Sequence, residues 1–141
     1  MKTYSMKSAE ISRDWWVIDA SVLPLGKLAV VVADKLMGKS KVTYTPHIDN
    51  GDYVVVVNAK NLKVTGEKMT DKKYYRHSGF PGGLKELRLE EVIEKDPSYA
   101  IKAAVKGMLP KNKLAADRLA RLRVFDGPEH THAAQNPKEI K

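Results

Sequence analysis

Apolar residues recur along this chain with two different spacings, and each predicts an element. Residues 15–20 (WWVIDA) concentrate aromatic and β-branched side chains and read as a strand. From 23 to 38 the spacing changes: Leu25, Leu28, Val32 and Leu36 lie three and four apart, one face of an amphipathic helix. Pro24 stands near its start and Gly38 is suited to close it. Residues 52–59 (DYVVVVNA) form an unbroken apolar run, the pattern of a strand covered on both faces. Strand, helix and buried strand predict a βαβ unit with a right-handed crossover. Residues 63–66 (KVTG) read as a short strand and turn, and 72–77 (KKYYRH) as a further extended piece. There Tyr74 and Tyr75 face opposite ways, so one belongs to the core.

The second half is helical. Residues 88–110 hold two helices broken near Pro97, the second with Ile101, Ala104, Val105 and Met108 as its buried stripe and Pro110 as its stop. Residues 113–122 read as another helix, 123–127 as a last short strand, and 127–141 as a polar surface tail. No linker or repeat divides the chain. The expected architecture is one α/β domain over 1–141, three layers (α/β/α) around a small, mostly parallel four-stranded sheet with basic surface loops.

Charge changes the picture next. The 141 residues carry 25 Lys and Arg against 17 Asp and Glu, a net charge of +8, which favours polyanionic partners. The excess is local: residues 102–123 hold seven cations (Lys102, Lys106, Lys111, Lys113, Arg118, Arg121, Arg123) against Asp117 alone. Residues 84–101 hold five acids and three bases, the composition of a solvated helix face. The absence of cysteine excludes disulfides, thiolate catalysis and thiolate metal sites. With no apolar signal segment and no run long enough to span a bilayer, a soluble cytoplasmic protein is expected.

Several enzyme-like motifs fail on inspection. "MGKS" (37–40) has Ala33 where a phosphate-binding loop needs glycine, and Gly38 stands where a helix closes and presents carbonyls. No dinucleotide fingerprint can be drawn through Gly79, Gly82 and Gly83. His130 and His132 have no nearby ligand set, so surface polarity is the better reading than a metal site. Trp15 and Trp16 suit a core better than a stacking platform.

Three surface-suited stretches do combine cations with aromatics or glycine: 38–52, 72–85 and 105–114. Lysine and arginine neutralise phosphates, tyrosine and histidine stack on unpaired bases, and glycine lets backbone approach closely. In "RHSGFPGGLK" (76–85) the glycines are expected to serve docking rather than the fold. The rival reading is a small nucleotide-binding or nucleic-acid-processing enzyme on a doubly wound sheet; a third is a basic module for an acidic protein.

Over essentially its whole length the chain resembles the bacterial large-subunit ribosomal protein family numbered thirteen. The matching runs include "DWWVIDA", "LGKLA", "YTPHIDNGDYVVVVNA", "VTGEKMTDKKYYRHSGFPGGLK", "AVKGMLPKNKL" and "LRVFDGPEHTHAAQNP". The resemblance implies a structural, non-catalytic protein embedded in large-subunit (23S) ribosomal RNA beside other ribosomal proteins. It implies no cofactor, metal, membrane or small-molecule substrate. Residue reading and resemblance together nominate Lys39, Lys41, Tyr44, Thr45, His47, Lys68, Arg76, His77, Gly82, Gly83, Lys85, Lys106, Lys111, Lys113, Arg118, Arg121 and Arg123 as RNA-binding. The chain departs from the family pattern at Ala115–Asp117, where glycine and a cation are usual, and at Phe80, Phe125 and Thr131.

Overall fold

The computed structural model describes residues 2–140. Along the chain run β1 (Trp15–Asp19), α1 (Leu25–Met37), β2 (Tyr53–Val57), the single turn α2 (Lys68–Asp71), β3 (Lys73–His77), β4 (Leu84–Arg88), α3 (Leu89–Lys95), α4 (Pro97–Met108), α5 (Ala115–Ala120), β5 (Leu122–Val124) and β6 (Lys138–Glu139). β5, β2, β1 and β6 pair in that order as a parallel sheet, with Trp15 opposite Tyr53, Val54 opposite Leu122 and Trp16 opposite Lys138. β3 and β4 form a separate antiparallel hairpin.

The steps from β1 to β2 and from β2 to β5 cross the sheet in one direction, so right-handed crossovers bring α1 and α4 to the same face. There Ile18, Val54, Val56 and Leu122 meet Leu28, Val32 and Leu36 of α1 and Ile101 and Val105 of α4 in one buried cluster. Each such Leu, Ile or Val contributes about 1.5–3 kcal/mol relative to exposure. α1 opens with Leu28 N–H donating to Pro24 O at 2.9 Å and closes at Gly38, whose φ of +75° lets its N–H reach Asp34 O. α4 opens with Pro97 at its first turn and Asp96 accepting from Ser98 N–H.

The expected α/β fold holds, with a difference in makeup. The layer facing away from the helices is the C-terminal tail with a 3-10 turn at Ala133–Gln135. On that side Trp15 stacks on Tyr53 (centroids 4.3 Å), and His132 closes on Trp15 at 4.9 Å and on Phe125 at 5.7 Å. His130 and His132 are therefore partly packed against rings rather than free surface groups. The tail is mostly exposed, as expected, but it is not structureless: Lys138–Glu139 pair with β1 as an exposed edge strand, and Ile140 packs against the core. So short a polar edge strand has no periodicity to reveal it. Residues 63–66 make only a bridge, Lys63 to Pro24, instead of a strand. β4, the partner of 72–77, carries the mixed pattern LKELR and was not expected.

Candidate nucleic-acid interface

Residues 38–52 leave α1 and return to β2 across the end of the sheet where the parallel strands begin. Two glycines make that path possible. A Cβ on Gly38 would stand 2.4 Å from Asn50 O, and one on Gly51 would stand 1.6 Å from Leu36 O. Arginines then fasten the segment. The Arg121 guanidinium donates to Leu36 O at 2.8 Å, to Gly51 O at 3.2 Å and to the Asp49 carboxylate. Arg13 donates to Gly51 O at 2.7 Å and to Asp49 O at 3.0 Å. Arg118 places Nε 3.7 Å from Asp49 Oδ1, an ion pair too long for a hydrogen bond. A second carboxylate, Asp52, accepts from Asp14 N–H and from Trp16 Nε1–H, and pairs with Lys41 Nζ at 2.7 Å.

This network draws four of the nominated residues into the fold. Arg118 is 1% exposed, Arg121 6% and Thr45 7%, so none offers a polar group to a partner at the surface. Thr45 Oγ1 accepts from Met6 N–H and donates to Thr43 O. Lys41 is engaged by Asp52 and by Ser12 O. The cation bias of residues 102–123 marked both arginines as surface charge, but a buried guanidinium paired with the partly buried Asp49 becomes an internal brace. Asp49, Arg13 and Asp52, which do the bracing, were missed. The available signal was a pair of acids, Asp49 and Asp52, inside an otherwise basic stretch. Lys39 and His47 remain exposed on this segment and Tyr44 is half-buried.

The turn after α4 adjoins it, because α5 carries Arg118 back to Asp49. Lys106, Lys111 and Lys113 are exposed, and among the described residues none is within an ion pair. Asn112 Oδ1 accepts from Leu114 N–H at 3.0 Å and shapes the turn. Ala115, Ala116 and Asp117, the departure from the family pattern, begin α5, where an acid suits the N-terminal dipole. Arg123 is exposed on β5. His132 is held below its ordinary value by burial, then by the charges of Arg123 and His130.

The second group of cations stands apart on the β3–β4 hairpin. Tyr74 and Leu87 pack inward, while Tyr75 is 62% exposed. Arg76 and Lys85 lie directly opposite each other, and His77 opposite Leu84. Ser78 N–H donates to Gly83 O and Gly83 N–H to Phe80 O, so the tip is closed by its own backbone. Gly82, at φ +71°, faces open space, whereas a Cβ on Gly83 would stand 2.0 Å from Ser78 Oγ and 2.9 Å from Phe80 O. Gly83 therefore serves the turn itself, against the expectation that both glycines are there for docking. Lys68, on α2, is exposed. Of the three stretches expected to carry the cations, 38–52 and 105–114 adjoin each other and 72–85 stands apart on the hairpin.

Gly38 closes α1, so "MGKS" meets carbonyls and not helix N–H groups. Among the described residues no group of three or more His, Asp or Glu side chains is placed to hold a metal, and no helix is long and apolar enough to cross a membrane. Fold and surface define a basic α/β protein with braced loops and exposed cations. The family model described as "Ribosomal protein L13" matches residues 13–131, and the chain belongs to that family of ribosomal proteins; it is not an enzyme. It is 53% identical over 141 residues to the large ribosomal subunit protein uL13 of Pseudomonas aeruginosa, covering 100% of this chain and 99% of that one. The uL13 proteins of Nitrosococcus oceani (53%) and Ectopseudomonas mendocina (52%) are similar with the same coverage.

Proposed function

We propose that this chain is a structural constituent of the large ribosomal subunit in the cytoplasm, where it binds 23S ribosomal RNA, supports its assembly and meets neighbouring ribosomal proteins. The observation that carries the RNA reading is the turn at 106–113, where Lys106, Lys111 and Lys113 are exposed without a carboxylate partner among the described residues. Unpaired cations beside a segment braced through Asp49 offer phosphate-neutralising charge at little ordering cost. Lys39, His47, Lys68, Arg76, His77, Lys85 and Arg123 are the further exposed contacts of this reading. Arg118, Arg121, Thr45 and Lys41 act behind them by holding the loop.

The test is the salt dependence of binding to protein-free 23S RNA. Log affinity should fall linearly with log salt by about 0.7–0.9 per phosphate contact, and replacing Lys106, Lys111 and Lys113 by alanine should flatten the slope by about 2. An unchanged slope removes these lysines from the interface; no binding of the intact protein at low salt overturns the RNA reading.

A further inference from the structure

Between the inner face of the β3–β4 hairpin and the α3–α4 junction lies an open cleft of about 730 Å³, within the size range of small-ligand sites. Its floor is aromatic. Tyr99, at the start of α4, is 52% exposed, and its ring meets the edge of Tyr74 at 5.8 Å. The Tyr74 hydroxyl oxygen is sealed from solvent and has no hydrogen-bond partner. Its rim is cationic: Arg76, Lys85 and Lys95 all line the cleft. Arg76 and Lys85 are directly cross-strand, an arrangement of like charges that destabilises a hairpin unless something negative sits between them. The carboxylate lining the cleft, Asp96, caps α4, its Oδ1 accepting from Ser98 N–H at 3.1 Å and Ser98 Oγ–H at 2.6 Å, and among the described residues it makes no ion pair with Arg76, Lys85 or Lys95.

An exposed ring beside a rim of unanswered cations matches an aromatic heterocycle joined to a phosphate. The geometry points to this cleft as the seat of a single unstacked nucleotide of RNA, its base against Tyr99 and its phosphate between Arg76 and Lys85. This rests on the RNA reading above and adds a second mode to it: the turn at 106–113 neutralises backbone, whereas the cleft holds one base out of the stack. Burial, then the neighbouring Tyr99, raises the Tyr74 pKa.

Stacking and charge respond differently to salt, and the experiment uses that difference. The probe is protein-free 23S RNA, titrated with the full chain and with Tyr99→Ala, Tyr99→Phe and the Lys106/Lys111/Lys113 alanine variant. Loss of a stacked base should weaken Tyr99→Ala binding roughly five- to a hundredfold while leaving the salt slope as in the parent, and Tyr99→Phe should bind like the parent. Thermal melts keep the comparison honest: because Tyr99 is half exposed, Tyr99→Ala should melt near the parent. If it does not, Arg76→Gln with Lys85→Gln replaces it and should weaken binding with a flatter slope. Tyr99→Ala binding within twofold of the parent, while the lysine variant is weakened, overturns the cleft and leaves the RNA reading standing. Unweakened binding by all variants overturns the cleft and removes the three lysines from the interface, whereas no binding of the intact chain at low salt overturns both readings. Normal RNA affinity with reduced occupancy of Tyr99→Ala in purified large subunits assigns the cleft to a neighbouring protein instead, and also overturns it.

Discussion

Residues 38–52 and 72–85 carry the same ingredients, cations and histidine beside tyrosine, glycine and proline, yet the fold holds them by opposite means. The first segment is bound into the molecule: its glycines lie against backbone, and Arg13 from one part of the chain and Arg118 and Arg121 from another converge on Asp49. The hairpin is held mostly by itself. Its strands pair with each other, its tip is closed by two local backbone hydrogen bonds, and only Tyr74 and Leu87 reach the core. Composition that looks like a flexible RNA loop can therefore describe either a preorganised edge or an extended arm. Which one results depends on whether a partly buried carboxylate gathers the cations inward.

Removing that carboxylate is the strongest way to break the contrast. Asp49→Ala leaves Arg118 and Arg121 as buried cations without a carboxylate and should cost about 3–5 kcal/mol in chemical denaturation. It should also loosen residues 38–52 in amide hydrogen exchange while the hairpin exchanges as before. Gly51→Ala comes next. Its methyl would overlap the Leu36 carbonyl, which anchors Arg121, and about 3 kcal/mol of stability should be lost by the same measurement.

The hairpin should respond far less. Gly82→Ala meets no neighbour but must keep a left-handed backbone, so about 1 kcal/mol is expected from its denaturation midpoint. A loss as large as that of Gly51→Ala would mean the tip is built into the fold as firmly as the loop. Smallest of all is Glu86→Gln. Lys73 sits 2.9 Å from Glu86 and its pKa is raised by that hydrogen bond and charge, but both groups are solvent-exposed. No resolvable shift of the melting midpoint should follow, in contrast to Asp49→Ala, because exposed pairs are screened by water and salt.

Periodicity along the chain determined much of this protein by itself. The spacing of Leu25, Leu28, Val32 and Leu36, the run Tyr53–Val57, the break at Pro97 and the closing role of Gly38 are all local facts, decided within one or two turns of backbone. They were legible because a strand or helix buries a face whose residues are neighbours in sequence. The exposed cations Lys106, Lys111 and Lys113 were legible for the same reason: nothing distant claims them. The fates of Arg118, Arg121, Lys41 and Thr45 were not, since each depends on a partner 29 to 72 residues away brought close only by the assembled fold. β6 was hidden because an edge strand is made by the strand it joins, here β1, more than by its own side chains. Whether a charged side chain faces water or braces the interior is a question of what else folding delivers to the same place, and tertiary structure alone decided it.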